Sequence, residues 1–196
     1  CLRMAHLAIA GSHTVNGVSQ IHTDLMKQTI FMDFHACWPD RIVNITNGIT
    51  PRRWLNQANP GLSGLITQHI GSGWVKDLSQ LRQLVPLAEY PEFRQRFREV
   101  KRANKERLAR IIRNELDVVV DPSSLFDVQI KRIHEYKRQL LNVLHTVIRY
   151  NRIRDGRTEL VPRTVIFSGK AAPGYAMAKL IIRLIHAVAD VVNHDP

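Results

Sequence analysis

The chain has 196 residues with a hydrophobic content of 44%, which allows a buried core and excludes a fully disordered protein. Its formal net charge of +11 would suit an anionic partner, while two cysteines, Cys1 and Cys37, are too few for a disulfide framework and favour a reducing cytoplasm. The most apolar run, residues 180–192, is about 13 residues long, short of the roughly 20 that a bilayer requires. Because the chain begins with Cys1 and stops soon after this run, we expect an internal piece of a longer protein.

The first 30 residues are predicted to be largely helical, with one interruption. Residues 2–10 are compact and apolar, and residues 11–17 (GSHTVNG) indicate a loop. After this loop, Val18, Ile21 and Leu25 recur at helical spacing. We therefore expect two helical segments separated by a loop.

A turn and a helix start follow the short β-branched run 42–45. Asn47-Gly48 is a strong turn signal. Thr50 is placed as an N-cap and Pro51 as the first helical residue, so a helix is predicted to begin there.

Residues 55–115 indicate several short helices, with breaks at Pro60-Gly61 and at residues 71–73. Within this region, the segment 94–113 carries nine Lys/Arg residues. Its apolar residues recur at helical spacing, which favours an amphipathic helix with a solvated basic face. The alternative is a basic nucleic-acid-binding module, but the nearby aromatic residues Phe93 and Phe97 fall on the apolar face rather than where bases could stack.

The pattern changes near Pro122 to alternating strands and helices. Strands are predicted at 125–130 and 164–167, and helices at 135–152 and 175–192. This order predicts a parallel sheet with a right-handed crossover, the opening of a doubly wound α/β domain whose ligands bind at the carboxyl ends of the strands.

Two further expectations concern burial in this part of the chain. The first strand is predicted to be buried. The helix after it is predicted to turn one apolar face inward, formed by Tyr136, Leu140, Leu144, Val147 and Ile148.

The junction between that strand and helix, residues 131–139 (KRIHEYKRQ), carries four cations. They are Lys131, Arg132, Lys137 and Arg138, of which the last two are expected in the first helical turn. The positive end of a helix disfavours cations unless an anion lies among them, and backbone N–H groups there already favour one. Arg and Lys both suit phosphate oxygens, so the junction predicts a phosphate site. Charge placement alone is equally consistent with surface charge on an exposed helix start.

Other motifs in the sequence do not predict a catalytic or metal site. The zinc-protease helix motif fails because position 138 is Arg, and a P-loop at Gly169-Lys170 fails on glycine spacing and on Ala171. Gly169 and Gly174 are expected to permit close packing of strand and helix. The histidines and Cys37 have no metal-ligand spacing, so no metal site is predicted.

Several strings together resemble the α-glucan (glycogen/starch/maltodextrin) phosphorylase family. They occur in one order at 4–7 (MAHL), 11–13 (GSH), 16–18 (NGV), 46–54 (TNGITPRRW), 124–139 (SLFDVQIKRIHEYKRQ), 169–175 (GKAAPGY) and 191–196 (VVNHDP). The resemblance covers essentially the whole chain. It implies part of a two-domain, Rossmann-like retaining glycosyltransferase fold, with residues 1–47 ending the N-terminal domain and residues 48–196 opening the C-terminal one.

The resemblance also implies an activity. The family reaction is phosphorolysis, in which orthophosphate cleaves a terminal α-1,4-linked glucose of a glucan to give glucose 1-phosphate. Pyridoxal phosphate is the cofactor, and its phosphate works beside the substrate phosphate. The partners are orthophosphate and α-1,4-glucan rather than nucleic acid or membrane, and the parent enzyme is expected to be a cytoplasmic homodimer.

Phosphate-handling roles follow from the resemblance residue by residue. Arg132 and Lys137 are expected to hold the substrate phosphate, as catalytic residues. Lys131, together with Lys137, is expected to neutralise the cofactor phosphate, because two dianions brought together require such cations. The lysine that anchors the cofactor is expected beyond Pro196, so no turnover is expected from this chain alone.

The resemblance assigns the remaining site residues to the sugar and to the cofactor. Asn47 is expected to hydrogen-bond the glucosyl hydroxyls, and His134 is expected to line the cleft. Trp54 is expected to lie against the cofactor site, and Tyr175 near the cleft entrance. A sugar-phosphate-binding domain that keeps the fold without catalysis is a further alternative.

Overall fold

The computed structural model describes residues 3–157 and 159–195, and the chain divides into two compact units, Cys1–Ser63 and Gly64–Pro196. The described residues leave out Cys1, Leu2, Thr158 and Pro196. The first residue of the predicted apolar segment 2–10 and the last residue of the string 191–196 therefore lie outside them. None of the helices in the described ranges is long and apolar enough to cross a membrane.

The first unit combines short helices with one pair of parallel strands. Its elements are α1 (Met4–Gly11), β1 (Val15–Gly17), α2 (Gln20–Gln28), α3 (Met32–Cys37) and β2 (Ile42–Asn44). The register of β1 and β2 aligns Val15 with Ile42 and Gly17 with Asn44. Ile42 is almost fully buried, which places the core of this unit beside the strand pair.

The predicted loop at 11–17 contains strand β1, so that prediction is wrong for residues 15–17. The Val15 N–H donates to the Arg41 carbonyl at 2.9 Å, which starts the pairing with β2. Gly17 is required because a Cβ there would lie 2.0 Å from the Thr23 Oγ1. This close approach to α2 is a tertiary contact, and local turn signals do not report it.

A helix begins where the sequence predicts it, but it is a π-helix, Arg52–Gln57. The Thr50 carbonyl accepts from the N–H groups of Arg53 and Trp54, and the Ala58 N–H donates to the Arg53 carbonyl five residues back. Helix α4 (Pro60–Ile70) follows.

The Pro60-Gly61 pair opens α4 instead of breaking a helix, which corrects the prediction. Proline is favoured at the first helical position because its missing N–H would have no partner there. The Asn59 side chain accepts from the Leu62 N–H at 3.3 Å and so caps the helix.

The second unit opens inside α4, continues through three 3-10 helices and reaches one long helix. The 3-10 helices are Gly73–Val75, Leu78–Leu84 and Pro86–Glu89, and the long helix is α5 (Pro91–Leu116) with 26 residues. The break at 71–73 is confirmed, since Gly71 has φ +75°. The prediction of short helices is wrong for α5, which contains the whole basic segment 94–113.

The last part of the second unit forms the predicted β-α-β-α order. Strand β3 (Leu125–Ile130) pairs in parallel with β4 (Arg163–Ser168), and helices α6 (Gln139–Arg154) and α7 (Ala176–His194) follow the two strands. Ile133, Ala178 and Ile181 form a buried cluster at this end of the unit. The mixed helix and parallel-strand architecture is confirmed, and the handedness of the crossover stays a prediction.

The predicted burial of this region is wrong on two counts. Strand β3 is partly exposed, with Leu125 and Val128 at 47% and 45%. The predicted inner face of α6 is also exposed, except for half-buried Val147, whereas Gln139 and Val143 are buried. The cause is that the described residues supply only two strands to this sheet, so its outer side and the adjacent helix face have no covering layer.

Candidate functional site

The loops that follow β3 and β4 lie side by side at the carboxyl edge of the strand pair. The Lys131 N–H donates to the Ser168 carbonyl, and the Ile133 N–H donates to the Lys170 carbonyl, both at 3.0 Å. Ligands of parallel sheets bind beyond this edge. The strand order therefore brings the predicted cation segment to the edge where a ligand is expected.

Gly169 permits this contact between the loops. A Cβ at Gly169 would lie 2.0 Å from the Lys131 carbonyl oxygen, which belongs to backbone and cannot rotate away. The expected close approach is therefore confirmed at Gly169, but against the neighbouring loop instead of a helix. It is wrong at Gly174, where a Cβ would meet nothing within 4 Å.

The loop 131–134 is attached to the interior through Ile133 and Gln139. The Ile133 side chain is 5% exposed and packs in the cluster with α7. Gln139 is fully buried; its Nε2 donates to the Arg132 carbonyl at 3.1 Å, and its Oε1 accepts from the His134 N–H at 3.4 Å. Backbone groups on both sides of Ile133 are thus held by one amide.

The helix after β3 starts later than the sequence predicts. Residues Glu135–Lys137 form a single 3-10 turn, Arg138 is left-handed with φ 62°, and α6 begins at Gln139. Lys137 and Arg138 therefore precede the helix, which corrects their placement in its first turn. A left-handed conformation is costly for an L-residue such as arginine, so the surrounding structure must hold it.

Lys137 is held through its backbone by residues from β3 and α6. The Gln129 Nε2 donates to the Lys137 carbonyl at 3.1 Å, and the Asn142 Nδ2 donates to the Gln129 Oε1 at 3.0 Å. The Lys137 ammonium lies 4.7 Å from the centre of the Tyr136 ring. Lys137 is half-buried. Its positive charge lies over the face of the Tyr136 ring, which is a favourable cation–π arrangement.

An aromatic group adjoins the cations. The His134 ring lies 4.6 Å from the Tyr136 ring and 4.8 Å from the Tyr175 ring, between centroids. The Tyr175 hydroxyl donates to the Glu135 carboxylate, and this hydrogen bond raises the pKa of Tyr175 above its ordinary value of 10.0. The acidic group nearest to the cations in sequence is therefore engaged by a tyrosine.

The four cations of the junction have no acidic partner among residues 3–157 and 159–195. All ion pairs there involve other residues. Side chains that carry unpaired positive charge beside a helix N-terminus suit an anion with several oxygens, such as a phosphate. The same part of the chain has no group of three His, Cys, Asp or Glu residues that could hold a metal ion.

Asn47 and Trp54 belong to the first unit, apart from the cation segment in sequence. The Asn47 N–H donates to the Val18 carbonyl at 3.0 Å, and the Asn47 side chain is exposed. Trp54 is 68% exposed on the π-helix. Both side chains are accessible, as binding residues must be.

Sequence reasoning missed the amides that hold the cation loops, above all Gln139. One signal was available: Gln139 lies one helical turn before Val143, so it occupies the buried stripe of α6. A polar residue in such a stripe must have buried partners.

Comparison with known proteins gives consistent matches. The family described as Carbohydrate phosphorylase matches residues 1–196. A glycogen phosphorylase of Synechocystis is 55% identical over 196 residues, and the human liver form of glycogen phosphorylase is 56% identical over 196 residues. A glycogen phosphorylase of Chlamydia trachomatis is 55% identical over 195 residues. All of this chain is covered in each case, but it spans only 23–24% of the length of these relatives.

Proposed function

Because the chain belongs to the carbohydrate phosphorylase family, we propose that it is part of a longer α-glucan phosphorylase. The parent protein would release terminal α-1,4-linked glucose from glycogen or maltodextrin as glucose 1-phosphate. Identity of 54–56% to several glycogen phosphorylases across the whole chain supports this function over a nucleic-acid-binding module. The structural observation that carries it is a set of four cations, without acidic partners in the described ranges, at the carboxyl edge of β3 and β4.

In the proposed reaction, a phosphate oxygen forms a bond to C1 of the terminal glucose and the bond from C1 to the glucan O4 breaks. The departing O4 takes a proton. Arg132 and Lys137 hold the orthophosphate and stabilise its charge as the bond forms. Asn47 hydrogen-bonds the glucosyl hydroxyls, and His134 lines the cleft.

The cation segment also fits the phosphate of pyridoxal phosphate. The donor set is two lysines and two arginines, whose charges are not neutralised by the described acidic residues, and this suits a phosphate monoester. Lys131 and Lys137 would neutralise that group, with Trp54 against the cofactor. When bound, the cofactor supplies a phosphate that relays a proton beside the substrate phosphate.

The fold of the parent is proposed on the same grounds. Two Rossmann-like domains would face a cleft, with the first ending at residue 47 and the second starting at residue 48. The parent would be a homodimer with orthophosphate and α-1,4-glucan as its partners, rather than nucleic acid or membrane. We place it in the cytoplasm, since Cys37 is a free, exposed thiol.

The test uses the full-length protein that contains this chain. Arg132→Ala and Lys137→Ala are each expected to lower phosphate-dependent release of glucose 1-phosphate by roughly 100-fold or more. Arg98→Ala is the control, because Arg98 is an exposed cation on α5. Unchanged phosphorolysis in both site variants would exclude the phosphate-binding roles of Arg132 and Lys137. No phosphate-dependent release of glucose 1-phosphate by the unsubstituted full-length protein would exclude the function.

A second measurement separates an enzyme from a sugar-phosphate-binding domain. Borohydride reduction of the full-length protein should trap the cofactor on a lysine. The absorbance of the bound cofactor should change as a result. Sugar-phosphate binding without turnover or reducible cofactor would favour the binding domain. Oligonucleotide binding that weakens steeply with salt would favour the nucleic-acid module.

A further inference from the structure

We infer that Gln139 is a positioning residue that sets the phosphate-binding cations, an inference that rests on the function proposed above. The distinctive observation is a fully buried amide that contacts only backbone on the cation loop. Gln139 itself would not touch phosphate, sugar or cofactor. It would act through Arg132 and His134.

The contacts of Gln139 leave it little freedom to move. Its Nε2 donates to the Arg132 carbonyl at 3.1 Å, and its Oε1 accepts from the His134 N–H at 3.4 Å. With no exposed surface, the amide has no water to replace either partner. The two peptide groups that flank Ile133 are therefore fixed relative to the first turn of α6.

This attachment matters because the Arg132 side chain is exposed and has no ion pair among the described residues. An arginine of this kind can hold a phosphate in one orientation only if its backbone is fixed. Otherwise the loop must be ordered each time phosphate binds, at a cost in affinity. With Gln139 in place, the loop would already be ordered in the folded protein before phosphate binds.

Lys137 is held by a parallel arrangement that also uses α6. Asn142 donates to Gln129, which in turn donates to the Lys137 carbonyl. Gln129 and Asn142 are only partly buried, so water can take their places more easily. Among these three amide residues, substitution of Gln139 is consequently expected to weaken phosphate binding most.

The decisive variant is Gln139→Met in the full-length protein, assayed for phosphorolysis. Methionine has similar length but makes neither hydrogen bond. The KM for orthophosphate is expected to rise about tenfold or more, as for loss of one or two buried hydrogen bonds. The KM for glucan should change by about twofold or less, because Gln139 contacts only the phosphate loop. A purely structural role would lower the maximal rate through inactive molecules and leave the KM for orthophosphate unchanged.

Gln139→Glu provides a second, isosteric probe. Its carboxylate cannot donate to the Arg132 carbonyl, whereas the protonated acid can. The ratio of the phosphate KM of the variant to that of the wild type should therefore fall as pH is lowered. Gln95→Met is the matched control, since Gln95 lies on the exposed surface of α5 and bonds only Glu99 there.

The outcomes separate this inference from the proposed function. If Arg132→Ala abolishes phosphorolysis while Gln139→Met keeps the wild-type KM for orthophosphate, the inference fails and the function stands. If Arg132→Ala has no effect, the phosphate-binding role of Arg132 fails and the positioning role of Gln139 fails with it. If the wild-type full-length protein shows no phosphorolysis, the function itself fails. Should Gln139→Met yield no active enzyme, Gln139→Glu decides: a KM ratio independent of pH overturns the positioning role.

Discussion

The Tyr175 hydroxyl donates a hydrogen bond to the Glu135 carboxylate, and the Glu135 N–H donates back to the Tyr175 oxygen at 3.4 Å. This pair joins the loop after β4 to the turn after β3. The His134 ring packs 4.8 Å from the Tyr175 ring, between centroids, beside the same pair. This side-chain contact therefore adds to the two backbone hydrogen bonds that already join these loops.

Glu135→Gln is expected to lower the pKa of Tyr175 in the 196-residue chain. The carboxylate favours the protonated hydroxyl and holds the tyrosine pKa above its ordinary value of 10.0, whereas a neutral amide would do so less. Alkaline titration followed by ultraviolet absorbance measures this pKa. The Tyr175→Phe spectrum identifies which of the tyrosine signals is lost.

The raised pKa also predicts a dependence of stability on pH. A group whose pKa is higher in the folded state contributes stability below its unfolded pKa, and that stability is lost as pH rises through the folded value. The free energy of unfolding of the wild type should therefore exceed that of Tyr175→Phe below about pH 10, and this difference should disappear above it. A constant difference between the two proteins across this range would contradict the assigned hydrogen bond.

Strands β3 and β4 were predictable from sequence, because short apolar runs bounded by polar turns and a Gly-containing loop are local features. Burial was not predictable, because it depends on which layers cover an element. Leu140 and Leu144 have the spacing of a buried face, yet they are exposed where the described residues provide no covering layer. The apolar periodicity identified helix α6, but it did not indicate which other elements pack against the helix.

The cation segment was predictable as a charge pattern, but its backbone was not. Arg138 in a left-handed conformation ends the 3-10 turn, and nothing in its residue type indicates this. The Arg138 N–H closes the 3-10 turn by donating to the Glu135 carbonyl at 2.9 Å, and the preceding Lys137 carbonyl accepts from Gln129 on β3. Tertiary hydrogen bonds of this kind override local helix propensity.

Gly169→Ala is expected to destabilise the 196-residue chain by about 1–3 kcal/mol. The added Cβ would lie 2.0 Å from the Lys131 carbonyl oxygen and 3.2 Å from the Ile133 Cδ1. Relief would require the two loops to separate and break their backbone hydrogen bonds. Denaturant unfolding followed by circular dichroism measures the change in free energy of unfolding.

Gly174→Ala is the matched control for that substitution. It lies in the same loop, but its added Cβ would meet nothing within 4 Å. Alanine also restricts the unfolded chain, so the expected change is neutral or slightly stabilising, within about 1 kcal/mol. Equal losses in the two variants would show that loop flexibility, and not the close approach, is what glycine provides.

Thr67→Val is expected to lower the free energy of unfolding by about 1–3 kcal/mol. Trp74 is fully buried, and its Nε1–H donates to the Thr67 hydroxyl at 3.1 Å. Valine has nearly the shape of threonine but cannot accept this hydrogen bond, so the indole N–H would remain unpaired. Denaturant unfolding measures the loss, and Trp74→Phe, which removes the donor, should make the additional Thr67→Val change much less costly.

Asp117→Gly is expected to stabilise the chain, even though it removes a side chain. Asp117 ends the long helix α5 with φ 54°, and its N–H donates to the Arg113 carbonyl at 3.0 Å. Glycine adopts this left-handed conformation without the steric cost that an L-residue bears. Removal of a negative charge from the negative end of the helix dipole acts in the same direction.

Asp117→Ala separates the backbone effect from the charge effect at that position. It removes the same charge but keeps a Cβ in the left-handed conformation, so it should be less stable than Asp117→Gly by about 1 kcal/mol. Thermal unfolding of the three proteins gives the order, with glycine highest. If alanine and glycine stabilise equally, the gain comes from charge alone, and the left-handed end of α5 bears no steric cost.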